Sequence, residues 1–237
     1  MKYSSVSNEK IKQLKKLQEK KYRDQTGLFL IEGEHLILEA KKRNILEDIY
    51  SLEGYELEGE HVVTEKVMKY VTNLNSVPKK IGVCRKKEGI IGNRVVLLDG
   101  VQDPGNLGTI IRSMVAFKAD TLIVSEDTAD VYSTKVLRAT QGMIFHISIF
   151  RKTLIETIRE LKKLDYSIFG TSVIHGKSIK SIEKCEKFAI IMGNEGNGVR
   201  REVLKEADDY YYIPMNPECE SLNVGVALSI FLYELDK

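Results

Sequence analysis

The sequence predicts a two-part α/β protein, with a small domain over residues 1–88 and a larger one over residues 93–237 whose sheet is largely parallel. Three observations predict it. From Arg94 onward, short apolar runs alternate with amphipathic stretches, as they do in a parallel sheet with helices on both faces. A less regular strand and helix alternation precedes it and ends at Lys80–Arg85. Between them, Lys86–Asn93 is charged, contains Gly89 and Gly92, and reads as a linker.

In the first domain, Ile11, Leu14 and Leu17 share one face of a helix over Asn8–Lys21, and Gly27 breaks it. Leu28–Ile31 reads as a strand and Glu34–Arg43 as a helix with Leu36, Ile37 and Ala40 inward. Strands at Ile49–Leu52 and His61–Thr64, a helix at Glu65–Val71 and an alternating strand at Lys80–Arg85 complete it. In the second domain the expected strands are Val95–Leu98, Thr121–Val124, Phe145–Ile149, Ser167–Thr171, Phe188–Met192 and Tyr210–Ile213. The expected helices are Gly108–Phe117, Ser133–Thr140, Leu154–Leu164, Val199–Ala207 and Val224–Leu235. In such sheets ligands bind beyond the carboxyl ends of the strands.

Composition excludes several classes. No apolar run approaches the roughly 20 residues of a membrane helix, and no apolar secretory core follows Lys2, so a cytoplasmic protein without membrane association is expected. Cys84, Cys185 and Cys219 are far apart and, like the four histidines, show no metal or disulfide spacing. Net charge is only +2, but its distribution is uneven. Lys10, Lys12, Lys15 and Lys16 lie in a basic N-terminal stretch, and Lys79, Lys80, Arg85, Lys86 and Lys87 form a second cluster. Such clusters either follow a phosphate backbone or are solvated helix faces.

Three segments interrupt the alternation at strand ends. In the first, Leu98–Ser113, a buried strand ends in an Asp-Pro-Gly turn, Asn106 is placed to cap the next helix, and Arg112 lies further in. A cation near a helix start opposes the helix dipole, so a functional role for Arg112 stands beside two plainer readings, a surface arginine or a salt bridge to Asp99 or Asp103. In the second, Met192-Gly193-Asn194-Glu195-Gly196-Asn197-Gly198, three glycines let backbone approach a ligand closely. The spacing is neither the dinucleotide fingerprint nor a P-loop. Glu195 within the loop would repel a pyrophosphate but not a cationic sulfonium. The third, Ile213–Ala227, runs from a strand through Pro214 and Pro217 to Ser221 and Asn223, which by themselves are ordinary capping residues before an apolar helix.

In order and spacing, the three segments resemble the signature motifs of the SpoU (TrmH-type) RNA ribose methyltransferases of the SPOUT superfamily. The residues concerned are Asn106, Gly108-Thr109-Ile110 and Arg112, then Met192–Gly196 with Gly198, then Ile213-Pro214 and Ser221-Leu222-Asn223-Val224. Lys135–Phe145 resembles the family's intermotif segment, and Phe29–Gly33 the start of its ribosomal-protein-like, RNA-binding N-terminal domain. The resemblance implies a C-terminal SPOUT domain with a trefoil knot, S-adenosylmethionine as cofactor, a homodimer and RNA as substrate. Gly193, Ile213 and Leu222, with Thr171, Asn194 and Gly196, are then expected at the cofactor, and Asn106, Arg112, Glu195, Ser221 and Asn223 around the reacting ribose. Lys118, Met114 and Gly225 depart from the family pattern without removing a motif residue.

The chemistry expected is methyl transfer to a ribose 2′-hydroxyl of structured RNA, with ribosomal RNA as the first target and tRNA as the second. Guanidinium groups keep their proton in proteins, so Arg112 is expected to hold a phosphate and stabilise charge developing on oxygen. The competing readings are a non-catalytic RNA-binding module, which need not retain the polar set, and a nicotinamide oxidoreductase, whose fingerprint is missing.

Overall fold

In the computed structural model the described residues are 1–87, 89–173 and 176–236, so Glu88, at the expected domain boundary, Ile174, His175 and Lys237 lie outside them. The chain divides into one unit of Met1–Lys87 with Asp130–Phe145 and another of Glu88–Ala129 with His146–Lys237. The sequence places residues 130–145 with the larger domain, whereas their contacts group them with the smaller unit.

The first unit runs β1 (Lys2–Tyr3), α1 (Glu9–Lys16), α2 (Lys20–Thr26), β2 (Leu28–Glu32), α3 (Glu34–Lys42), β3 (Leu46–Leu52), β4 (His61–Val63), α4 (Glu65–Val71) and β5 (Lys80–Arg85). Its sheet order is β1-β4-β3-β5-β2, with β1, β4 and β3 parallel and β5 antiparallel to both neighbours. Ile11 and Leu14 of α1 and Val67, Met68 and Val71 of α4 pack with Leu30, Tyr50 and Ile81. Side chains alternate along β2, so Phe29 faces the other way, where its ring lies 4.8 Å from that of Tyr132.

The single helix expected over Asn8–Lys21 is two. Asn8 caps α1 by accepting from the Lys10 N–H, but the chain turns after Leu17 because the buried Arg23 guanidinium takes the Leu17 carbonyl at 2.7 Å. A residue six positions ahead cannot hold that carbonyl if the helix continues straight. The same guanidinium pairs with Asp130.

The second unit begins with β6 (Arg94–Asp99), α5 (Pro104–Ala116) and β7 (Thr121–Val124). Residues 130–145, carrying α6 (Thr134–Ala139), belong to the first unit. The chain resumes the second with β8 (Ser148–Arg151), α7 (Leu154–Lys163), β9 (Ser167–Thr171), β10 (Lys177–Ser178), β11 (Phe188–Gly193), α8 (Arg201–Leu204), β12 (Asp209–Tyr212) and α9 (Val224–Asp236). Its seven strands, ordered β10-β12-β9-β11-β6-β7-β8, are all parallel. The apolar runs of β6 and β11 are wholly buried, as central strands covered on both faces must be.

Several boundaries differ from expectation. Asp103, not Asn106, caps α5: its side chain accepts from the Asn106 N–H at 2.8 Å and Pro104 takes the first turn, so the helix starts four residues before Gly108. The strand expected at Phe145–Ile149 begins at Ser148, after a 3₁₀ turn over Met143–His146. α8 is a single turn because its N-terminal side is tied at Arg200. The two-residue strands β1 and β10 are too short to leave a periodic signal.

Candidate active site

All seven strands of the second unit run the same way, so β6, β9 and β11 end together at Asp99, Thr171 and Gly193. Beyond those ends lies a cavity of about 550 Å³ bounded by the segments after β9, β11 and β12 and the first turns of α9. Gly193, Asn194, Glu195, Gly196, Thr171, Ile213, Ser221, Leu222 and Asn223 all line it, so the structure brings most of the residues expected from the sequence into one place.

The glycine loop is held by its own backbone. Asn194 and Gly198 exchange two hydrogen bonds, N to O at 3.0 Å and 2.9 Å. A Cβ on Gly193 would lie 2.1 Å from the Gly198 carbonyl carbon and 2.2 Å from the Val199 nitrogen, so no other residue fits. Gly198 takes φ of +69°, the left-handed conformation glycine adopts without strain. The Asn194 side chain donates to Gly100 O at 2.8 Å and accepts from the Gly196 N–H at 2.9 Å, joining the loop to the turn after β6.

A polar relay connects the three motif segments. The Glu195 carboxylate accepts from the N–H groups of Gln102 and Asp103 and from Asn106 Nδ2 at 2.9 Å. Asn223 Nδ2 donates to Asn106 Oδ1 at 2.7 Å, while Asn223 Oδ1 accepts from the N–H groups of Gly225 and Val226 at the start of α9. Burial pushes the Glu195 carboxyl up, but the hydrogen bonds from Asn106 and the neighbouring backbone outweigh it and hold it below the ordinary carboxylate value.

Asp99 and Arg200 form a pair that the sequence reading did not identify. The buried Asp99 accepts from the Arg200 N–H and Nε–H, both at 2.8 Å, and lies 2.6 Å from Arg200 Nη2. Pairing with Asp99 raises the Arg200 pKa. This fixes the far end of the glycine loop to the end of β6. A carboxylate closing an otherwise apolar strand was the signal that Asp99 needs a partner. Phe231, which supplies apolar wall, was hidden in a run that reads simply as core, and Met192, which opens the second motif, adds to the same wall although it was not among the residues expected at the cofactor.

Arg112 is placed differently from the rest. It is exposed on α5, does not line the cavity, and among the described residues has no ion pair or hydrogen bond. Neither suggested salt bridge exists: Asp99 holds Arg200, and Asp103 caps α5.

The basic residues expected to meet RNA divide into paired and unpaired groups. Lys80 is a correction: it is buried and bonded to Glu60 at 2.8 and 2.9 Å, at the start of a strand that is covered on both faces as far as Cys84, and no phosphate can reach it. Lys10 pairs with Asp48, Lys12 with Glu9, Arg85 with Glu47 and Lys86 with Asp24. Lys15, Lys16 and Lys79 lie instead against tyrosine rings, and Lys87 is exposed.

The cavity fits S-adenosylmethionine on its donor set. Its volume is within the range of roughly 300–1,000 Å³ usual for small-molecule sites. Among the described residues no lysine or arginine lines it, and its only charged side chain is Glu195. That electrostatic character suits a cationic sulfonium and is hostile to phosphate. The described residues contain no His, Cys, Asp or Glu cluster placed to hold a metal, and no helix long and apolar enough to cross a membrane.

Comparison with known proteins places the chain in a family. Residues 93–233 match the model of the SpoU rRNA Methylase family, and residues 8–82 match an MRM3-like substrate binding domain. The chain is 37% identical over 241 aligned residues to the 23S rRNA (guanosine(2553)-2′-O)-methyltransferase RlmP of Bacillus subtilis, covering 98% of this chain and 97% of that one. Its structure matches an AdoMet-bound rRNA methyltransferase from Sinorhizobium meliloti with a TM-score of 0.87 and 29% identity, over 99% and 97% of the two chains. An RNA 2′-O ribose methyltransferase matches with a TM-score of 0.80 and 28% identity, over 99% and 98%. A trefoil knot in the second unit is consistent with the fold of these neighbours. The chain belongs to the SpoU rRNA methylase family.

Proposed function

We propose that the protein transfers the methyl group of S-adenosylmethionine to a ribose 2′-hydroxyl of ribosomal RNA, working in the cytoplasm as a homodimer. The single observation that carries this reading is the cavity at the strand ends, in which Glu195 supplies the only charge among the described residues. S-adenosylmethionine brings an electrophilic methyl on a sulfonium, so the protein's task is to position the acceptor oxygen and stabilise the charge it acquires. Holding two reactants in line supplies up to roughly 7–11 kcal/mol of a barrier.

The glycine loop and Leu222 present backbone and apolar surface to the cofactor, and Ile213 adds a further wall. The Glu195–Asn106–Asn223 relay fixes the polar rim where the ribose arrives. Ser221 stands in the same rim. Arg112, free of partners among the described residues, grips the phosphate beside the target nucleotide and stabilises the developing oxyanion from outside the cofactor cavity. Its place on α5 suits a shared site. α5 packs against α9 through the Ser113–Ser229 hydroxyl pair, and α9 exposes Val226 (46%) and Tyr233 (54%), an apolar face for a second copy of the chain. Of the basic residues expected at RNA, Lys15, Lys16, Lys79 and Lys87 have no salt bridge among the described residues and remain for phosphate contacts.

The test is incubation with labelled S-adenosylmethionine and total RNA, followed by mapping of alkali-resistant linkages. The expected result is label on a ribose in ribosomal RNA. Label confined to tRNA would select the second target, and label on a base would overturn the reaction.

A further inference from the structure

Within the first unit, Lys10, Lys12, Lys20, Arg23, Lys80, Arg85 and Lys86 form salt bridges, and of these Lys10 and Lys86 also lie over tyrosines. Lys15, Lys16, Lys21 and Lys79 form no salt bridge among the described residues and lie over tyrosines, the first three around α1 and α2. Lys15 Nζ stands 5.8 Å from the centre of the Tyr70 ring on α4, Lys16 Nζ 5.4 Å from that of Tyr22 on α2, and Lys21 Nζ 6.0 Å from the same ring. Lys15 and Lys16 are adjacent in the last turn of α1, and from there Lys15 reaches Tyr70 of α4 while Lys16 reaches Tyr22 of α2, so a tyrosine flanks that turn on either side. The Tyr70 ring is 38% exposed, and Lys15 is steadied by Asn73 Oδ1 at 3.2 Å.

A duplex presents phosphates but no free base faces, and lysines alone suffice to hold it. Aromatic rings interleaved with unpaired cations are the arrangement that holds a single strand, bases stacking on the rings while phosphates follow the lysines. We propose that Tyr22 and Tyr70, with Lys15, Lys16 and Lys21, form a binding strip for an unpaired stretch of the RNA substrate. The strip selects targets by the presence of splayed-out bases near the methylated nucleotide. This rests on the methyltransferase reading for the identity of the polymer, and on the ring and cation geometry for its being single-stranded.

The test uses the full chain and a single-stranded RNA of about twelve nucleotides, within the span of such sites, beside a duplex of the same sequence. The single strand should bind more tightly. Tyr22→Leu and Tyr70→Leu should each weaken it about tenfold, with the ratio to the native chain unchanged by salt, whereas Lys16→Gln should flatten the salt dependence. The sequence contains no tryptophan, so Tyr70→Trp gives a single reporter whose fluorescence the single strand should quench and the duplex should not. Leu variants that bind like the native chain, an equally tight duplex, or an unquenched Trp would each overturn the strip. Failure is distinguishable from failure of the enzymatic reading, which is scored on methylated ribose. If the native chain methylates ribosomal RNA and the Leu variants keep its KM, the strip is wrong and the enzyme reading stands; if they raise KM and leave kcat alone, both stand.

Discussion

Two ion pairs carry separate predictions. Asp99 holds Arg200 by three contacts and thereby fixes the glycine loop. Asp99→Asn keeps one acceptor and loses the charge. Charge-assisted hydrogen bonds of this kind are worth about 1.5–3 kcal/mol, so affinity for S-adenosylmethionine should fall at least about tenfold by calorimetry. Arg200→Lys, which lacks the Nε–H, should lose part of it. Unchanged affinity in both would show that the pair does not position the loop. Glu60 gives a pH prediction. Burial raises its pKa, but hydrogen bonds from Lys80, Ser51 and the Leu57 N–H hold it below its usual 4.5. Because the folded-state pKa is depressed, the stabilisation is present above about 4.5 and is lost as pH falls through the folded value. Lys80→Met removes the partner and leaves a buried carboxylate, which should cost about 3–5 kcal/mol at pH 7. The gap from the native chain, read by urea denaturation, should narrow as pH falls, first as the unpaired Glu60 of the variant takes up a proton and then as the native one does. A gap independent of pH would mean that lost packing, not charge, causes the effect.

At the scale of elements, the segment after β11 and the start of α9 decide whether a cavity exists. Gly193→Ala places a methyl group against the Gly198–Val199 backbone, which cannot move without opening the Asn194–Gly198 bridge. Cofactor binding should be lost while the far-ultraviolet circular dichroism stays native; full binding would show the loop more plastic than its packing implies. Much of this was legible beforehand. Buried strands such as β6 and β11 are continuous apolar runs, and the polar and glycine residues that interrupt them fall at the strand ends where the cavity lies. What was not legible depended on side-chain contacts that leave no periodic signal. The break between α1 and α2 comes from Arg23 reaching Leu17, a side chain returning to a carbonyl, and no local periodicity records it. The Asp103 cap was misplaced to Asn106 because both residue types cap well, and only the Pro104 position decides between them. For Asp99 the sequence offers Arg112 as one possible partner among the alternatives for that arginine, while the fold brings Arg200 from a neighbouring strand end. Lys80 looked like one of a basic cluster because charge composition does not show that its strand is covered on both faces.

For the whole molecule, the account requires two copies of the chain and an RNA, and each requirement is measurable. Val226→Glu puts a carboxylate on the exposed face of α9. It should shift sedimentation from dimer to monomer and reduce turnover, with the fold intact by circular dichroism; a fully active monomer would remove the shared site. RNA affinity of the native chain should fall steeply with salt, since phosphate contacts release counterions, while cofactor affinity should not, because the cavity has no cation among the described residues. In the proposed reaction, cofactor binding belongs to the cavity and the chemistry is assisted by an arginine outside it. Calorimetric titration of native and Arg112→Ala protein with S-adenosylmethionine, paired with methyl transfer to ribosomal RNA, tests that separation most directly. The expected result is equal cofactor affinity in both proteins and methylated ribose from the native chain alone. Absence of binding heat in the native chain, or normal turnover by Arg112→Ala, would contradict it.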